Sequence, residues 1–143
     1  MFDFKTELAN IVAQMTRQGK MNFLDGATNE QINTFETKHG FALPEQYKTW
    51  LLFSDGGECF LPAGVQLYGV AHKPFIDVND NDRPNDNYIV LGALASGDPI
   101  LFKKGEEKIA IYNHEAACIE TDEVYEDFLA FLKDLPDILG IES

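Results

Sequence analysis

Serine is scarce in these 143 residues. Only Ser54, Ser96 and Ser143 occur, and none sits in a Gly-x-Ser-x-Gly elbow, which argues against a serine hydrolase. A lysine-bearing glycine loop and a Gly-x-Gly-x-x-Gly run after a strand are also missing, so the common phosphate cradles are not expected. Gly56-Gly57 follows a helical pattern instead of opening one, so its amides do not line a helix N-terminus. Cysteine is nearly absent. Cys59 and Cys118 could pair in an oxidising compartment, but MFDFKTELAN shows no export signal, so both are expected as buried free thiols in a cytosolic chain. The longest apolar stretch, residues 88–95, is broken by Gly92 and is too short to span a bilayer. Basic residues are few as well: eleven lysines and arginines face twenty-four acids, for a formal charge of −13. Such a surface repels nucleic acid and anionic lipid and attracts cationic partners, with plain solubility as the competing explanation.

What is present is a core. Apolar residues make up 45% and aromatics 12%, enough for one domain over 1–143 to fold without metals or disulfides. Asp3 can cap a first helix carrying Phe4, Leu8, Ile11, Val12 and Met15 at helical spacing, with Gly19 at its end. KMNFLDGA reads as a loop. Thr28 and Gln31 form a capping-box pattern for a second helix, in which Ile32, Phe35 and His39 share a face. Gly40 fits the left-handed residue that closes it, and Phe41 can fold back on the last turn. Pro44 suits the first position of a third helix. There Tyr47, Trp50, Leu51 and Ser54 point inward, Leu52 and Phe53 widen that face enough to suggest contact on two sides, and Asp55-Gly56-Gly57 stops the helix. The period then changes: Val65, Leu67 and Val70, then YIVLGALA, PILFKK and KIAIYNH, read as strands joined by the turns GDP and KGEE. A last helix is expected from Thr121 or Asp122, carrying Val124, Tyr125, Phe128, Leu129, Phe131, Leu132 and Leu135 and ending near Pro136. The fold class is therefore α+β, with N-terminal helices, a mainly antiparallel sheet and a C-terminal helix.

Candidates for chemistry are weak. HEAAC places His114 and Cys118 four apart, but it follows a strand-like run, so helical ligand spacing is not expected and neither is a metal site. DVNDNDRPNDNY offers Asp77, Asn79 and Asn81 in calcium-loop positions. Asp82 replaces the required glycine and Tyr88 the bidentate glutamate, so a solvated connection is the better reading, with weak cation binding as the remaining option. Acids concentrate in two places. Residues 115–127 hold six acids and no lysine or arginine, and residues 77–86 hold four acids and one arginine. Asp122 and Glu123 are expected to favour the positive end of the last helix. None of these carboxylates falls in a catalytic constellation, and no cofactor is implied.

Taken together, Ile32, Glu36, Gly40, Leu43, Pro44, Tyr47, Trp50, Leu51, Gly56 and Gly57 resemble the opening pattern of the SUKH superfamily. That superfamily includes the fungal Smi/Knr cell-wall-assembly regulators and bacterial immunity proteins. Leu67-Tyr68-Gly69, the run 89–92 with Gly97-Asp98 and Ile100, and Val124, Phe128, Leu129 and Leu132 are similar to its later blocks, so the likeness covers residues 28–132. Asp55 stands where asparagine is usual and Trp50 where phenylalanine is common. The resemblance implies a protein-binding scaffold with no catalytic residues, used in bacteria chiefly to neutralise toxins. With the charge, it points to an immunity protein whose partner is a basic toxin domain encoded nearby. An intracellular adaptor is the alternative, and a small enzyme comes third. Asp77, Asp80, Asp82, Asp86, Glu120, Glu123, Glu126 and Asp127 are then the candidate partner-binding residues. Oligomeric state is left open.

Overall fold

The computed structural model describes residues 4–61, 64–78 and 83–140. Asp3, Asp80 and Asp82 lie outside the described residues, as does the side chain of Asp122. Helix α1 (Phe4–Gln18) buries Leu8 and Met15 and is followed by a short strand β1 (Lys20–Asn22). Helices α2 (Asn29–His39) and α3 (Glu45–Phe53) precede β2 (Gly57–Leu61), β3 (Val65–Leu67), β4 (Tyr88–Leu94), β5 (Pro99–Lys103), β6 (Ile109–Asn113) and β7 (Cys118–Tyr125). Helix α4 (Phe128–Ile138) closes the domain. The seven strands form one sheet in chain order, and every neighbouring pair is antiparallel. The class is α+β, as the change of period at Gly57 implies.

The period-two pattern of the central strands sorts their side chains into two clusters. Ile89, Leu91, Ile100, Phe102, Ile109 and Ile111 join the main core with Trp50, Tyr47, Phe128 and Phe131 of the helices. Val90, Leu101 and Tyr112 form a smaller cluster, edged by Tyr68, Tyr88 and Ile119. Burying both sides of β4 to β6 explains why these strands read as nearly continuous apolar runs.

Local chemistry sets the helix ends. Thr28 Oγ1 accepts from Gln31 N at 3.1 Å and Gln31 Oε1 accepts from Thr28 N at 2.9 Å, completing the capping box. Gly40 adopts φ 74° and donates to Glu36 O at 2.8 Å. Pro44 stands one position earlier than expected, as the N-cap of α3. It offers no side-chain acceptor, and the carboxylate of Glu107, from the β5–β6 turn, accepts from Glu45 N at 2.9 Å and Gln46 N at 3.4 Å instead.

Five further features differ from what the sequence implies. KMN is strand β1, paired with β2, not loop. Val70 lies outside β3. Cys118 is exposed, whereas Cys59 is buried and its thiol is pushed up to about 12 by that burial. Pro136 lies inside α4 and does not end it. The largest correction is the start of that helix: Val124 and Tyr125 pair with Ala110 and Ile109 on β6. Branched and aromatic side chains suit that edge strand, and the cap is Asp127, whose Oδ1 accepts from Ala130 N at 2.9 Å. Glu123 therefore lies on a strand and has no role at a helix N-terminus, where Asp127 stands as the cap.

Candidate functional site

The densest group of polar side chains surrounds α3 and the turn after it. Glu36, on α2, accepts from Leu43 N at 2.7 Å and pairs with Lys48 Nζ at 3.0 Å, tying the α2–α3 loop to both helices. Burial works against the Lys48 charge, but the Glu36 and Glu45 carboxylates outweigh it and raise its pKa. Ile32, Leu43, Tyr47, Trp50 and Leu51 are buried around this brace. Tyr47 donates its hydroxyl to the carbonyls of Tyr68 and Leu91, linking α3 to the sheet, and burial holds its pKa well above the usual phenol range. Trp50 Nε1 and Ser54 Oγ each donate to Gly56 O at 2.9 Å, and Ser54 Oγ accepts from Leu24 N at 3.0 Å.

Asp55 is the buried carboxyl group at the centre of this arrangement. Its Oδ1 accepts from Val70 N at 2.7 Å, and its Oδ2 accepts from Ala71 N at 2.8 Å and His72 N at 2.7 Å. His72 Nδ1 lies 3.0 Å from the same Oδ2. The carboxylate acts as an internal cap for the segment after β3, much as an anion satisfies successive amides in a nest. Gly56 and Gly57, at φ 94° and 113°, make the turn that brings it there. A Cβ on Gly56 would meet Leu67 O at 2.6 Å. Sequence reasoning noted Asp55 only as a departure from a pattern. Its backbone partners lie fifteen to seventeen residues ahead, beyond any local signal.

These hydroxyls and carboxylates point at main-chain groups, not into a cleft. Tyr47 and Cys59 are both driven away from ionisation near neutrality, so neither is an activated base or nucleophile. His114 to Ala117 of HEAAC form the β6–β7 connection, and Cys118 opens β7 opposite Asn113. Asp98 Oδ1 accepts from His114 N at 3.1 Å and also contacts His114 Nδ1, and Asn113 Oδ1 accepts from the amides of Glu115 and Ala116. Among the described residues no three His, Cys, Asp or Glu side chains converge as a metal site.

The candidate acids occupy two regions. In the first, the backbone of Asp77 is bridged to Val90. Arg83 Nη1 donates to the carbonyls of Val78 and Tyr88 at 2.8 and 2.9 Å, and Nη2 lies 3.2 Å from Asp86 Oδ1. The arginine thus closes the loop, while the Asp86 side chain remains 97% exposed. In the second region Glu115, Glu120 and Glu126 are exposed and Glu123 is half-buried. Residues 120–123 form an irregular stretch of β7, because Ile119 pairs with Tyr112 and Val124 already pairs with Ala110. Asp127 differs from its neighbours. Besides capping α4, its Oδ2 accepts from Gln46 Nε2 at 3.1 Å, and Gln46 Oε1 accepts from Leu129 N at 2.8 Å.

A groove of about 720 Å³ between α2 and the segment after β3 is floored by Phe35, Val70 and Ile76 and edged by His39 and by Phe75, which is 46% exposed. Burial, then the neighbouring Lys38, lowers the pKa of His39.

A model of the SMI1 / KNR4 family (SUKH-1) matches residues 26–134. The chain belongs to that family. The matched stretch begins just before the capping box of α2 and ends within α4, so it holds the Glu36 brace, the Asp55 cap and β2 to β7 of the SUKH-1 domain. Helix α1 and strand β1 lie before it. The family suggests a protein-binding role in general. No curated protein matches the chain.

Proposed function

We propose that this SUKH-1 domain is a non-catalytic immunity protein that binds and neutralises a basic bacterial toxin domain, one acting on nucleic acid. The observation that carries this reading is a charge of −13 on a scaffold of this family, with carboxylates on its surface. Glu115, Glu120, Glu126 and Asp86 are exposed and form the leading contact set, and Glu123 and Asp77, with Asp80 and Asp82 from the acidic stretch of sequence 77–86, complete it. Asp127 contributes charge at the margin, because its oxygens already serve α4 and Gln46. A basic cleft that grips nucleic acid is masked by such a surface for the same electrostatic reason that it grips phosphate.

Co-purification with the product of the adjacent gene tests the proposal. A stable complex with a basic toxin-like domain, and loss of its toxicity, is the expected result. A partner encoded elsewhere, with no toxic activity to suppress, would instead make this a regulator-type adaptor.

A further inference from the structure

We propose that the groove between α1 and α3 is a self-association surface, in which two copies of this chain meet across a twofold axis. The groove encloses about 460 Å³ and is lined by Leu8, Ala9, Val12 and Ala13 of α1 and by Leu52 and Phe53 of α3, with Lys5 and Thr49 as its polar members. Its lining is mostly apolar. Among the described residues four large apolar side chains are exposed, and two of them, Leu52 at 38% and Phe53 at 41%, are adjacent here. The widened apolar face of α3 is thus only half used within one copy. Phe53 packs edge-on against Phe23 and Trp50, and the remainder of Leu52 and Phe53 faces solvent.

Charge identifies the occupant. Residues 1–24 carry three basic and two acidic side chains, whereas residues 25–143 carry eight and twenty-two. A cationic partner is drawn to the acidic part of the chain, not to the one segment that lacks negative excess. Two like-charged copies behave oppositely: their mutual repulsion is least where α1 faces α1. Ala9 and Ala13 are small and exposed, so they leave room on one copy for Leu52 and Phe53 of the other. An isologous contact of this kind buries the same patch on both copies. Helix α1 is about 22 Å long, from its fifteen residues, which limits the contact to less than the ~800 Å² per partner of a standard interface. The dimer is therefore weak and concentration-dependent. It leaves the acidic surface free, and it joins α1, which precedes the matched family stretch, to Leu52 and Phe53 of α3 within that stretch.

Sedimentation of the full chain over a range of concentration and salt tests this. The mass is expected to rise from 16.1 kDa toward twice that value as concentration increases, and added salt should strengthen association by screening the repulsion between copies. Ala13→Glu and Leu52→Glu should each hold the chain monomeric, and at dilutions where the unsubstituted chain is also monomeric their melting temperatures should match its own, since both positions are exposed. A monomer at every concentration up to about 1 mM, or a dimer indifferent to both substitutions, overturns the proposal. So does a monomer whose complex with the adjacent gene product is weakened by Ala13→Glu, which would assign the groove to the partner.

Discussion

The turn after α3 and the connection from β6 into β7 are both rich in polar side chains, yet they use them in opposite ways. In the first, Trp50, Ser54, Asp55 and Tyr47 spend their hydrogen-bonding capacity on carbonyls and amides of the same chain, and all four are buried. In the second, Glu115, Glu120 and Glu126 present carboxylates to solvent, and residues 120–123 depart from regular pairing with β6. Charges and irregular pairing on an edge strand also deter strand-to-strand aggregation, so this region can remain soluble while staying open to a partner. A cluster of special residues therefore does not by itself mark a working site. On the proposed function, what separates scaffold from working surface is whether the carboxylates are already satisfied from within.

The sharpest way to break that contrast is to remove the anchor of the first region. Trp50→Ala deletes a fully buried ring and removes one of the two side-chain donors to the Gly56 carbonyl, leaving Ser54 Oγ, and is expected to cost about 3–5 kcal/mol in chemical denaturation. Asp55→Ala comes next. It strands the amides of Val70, Ala71 and His72, but these are part-buried and water re-pairs them, so the total is expected to be about 2–3 kcal/mol, not the full penalty for three buried groups. Asp55→Asn keeps one acceptor oxygen and should lose clearly less, so equal losses in thermal melts would show that the carboxylate is not the organising group. Gly57→Val is third, at about 1–3 kcal/mol, because a branched residue is forced to φ 113° with its Cβ 3.0 Å from Ser54 Oγ. Asp127→Ala is fourth and sits between the two regions. As the cap of α4 it should cost about 0.5–2 kcal/mol, whereas a purely surface acid would leave the melting curve unmoved.

Much of the scaffold is legible in the sequence because its signals are local. Thr28 and Gln31 are three residues apart, Gly40 is the next residue after α2, and Tyr47, Trp50 and Leu51 lie within two turns of one helix. What escapes is set by partners distant in the chain. Strand β1 is three residues long and is defined by pairing with β2, some forty residues on. Glu107 caps a helix that begins sixty-two residues earlier, and Asp55 reaches across a hairpin arm to residues 70–72. The start of α4 is misread for another reason. Val124, Phe128 and Leu132 fit helical spacing, but Val124 belongs to the strand, and the cap at Asp127 is hidden among neighbouring acids that look alike in sequence. The exposed acids are legible as composition, but composition carries no distinction between Glu126, which faces solvent, and Asp127, which caps α4.

The proposed division between scaffold and working surface is tested most directly by the rate at which this chain associates with the adjacent gene product as salt is varied. Reversal to lysine at Glu120 and Glu126, both exposed, should change stability by no more than about 0.5 kcal/mol. Carboxylates attract a basic partner over about one Debye length, ~8 Å at physiological salt, so the association rate should fall steeply as salt rises while dissociation changes less. The double reversal should slow association at low salt and flatten that dependence. Association indifferent both to salt and to the reversals would contradict the account and leave the charge of −13 as solubility alone.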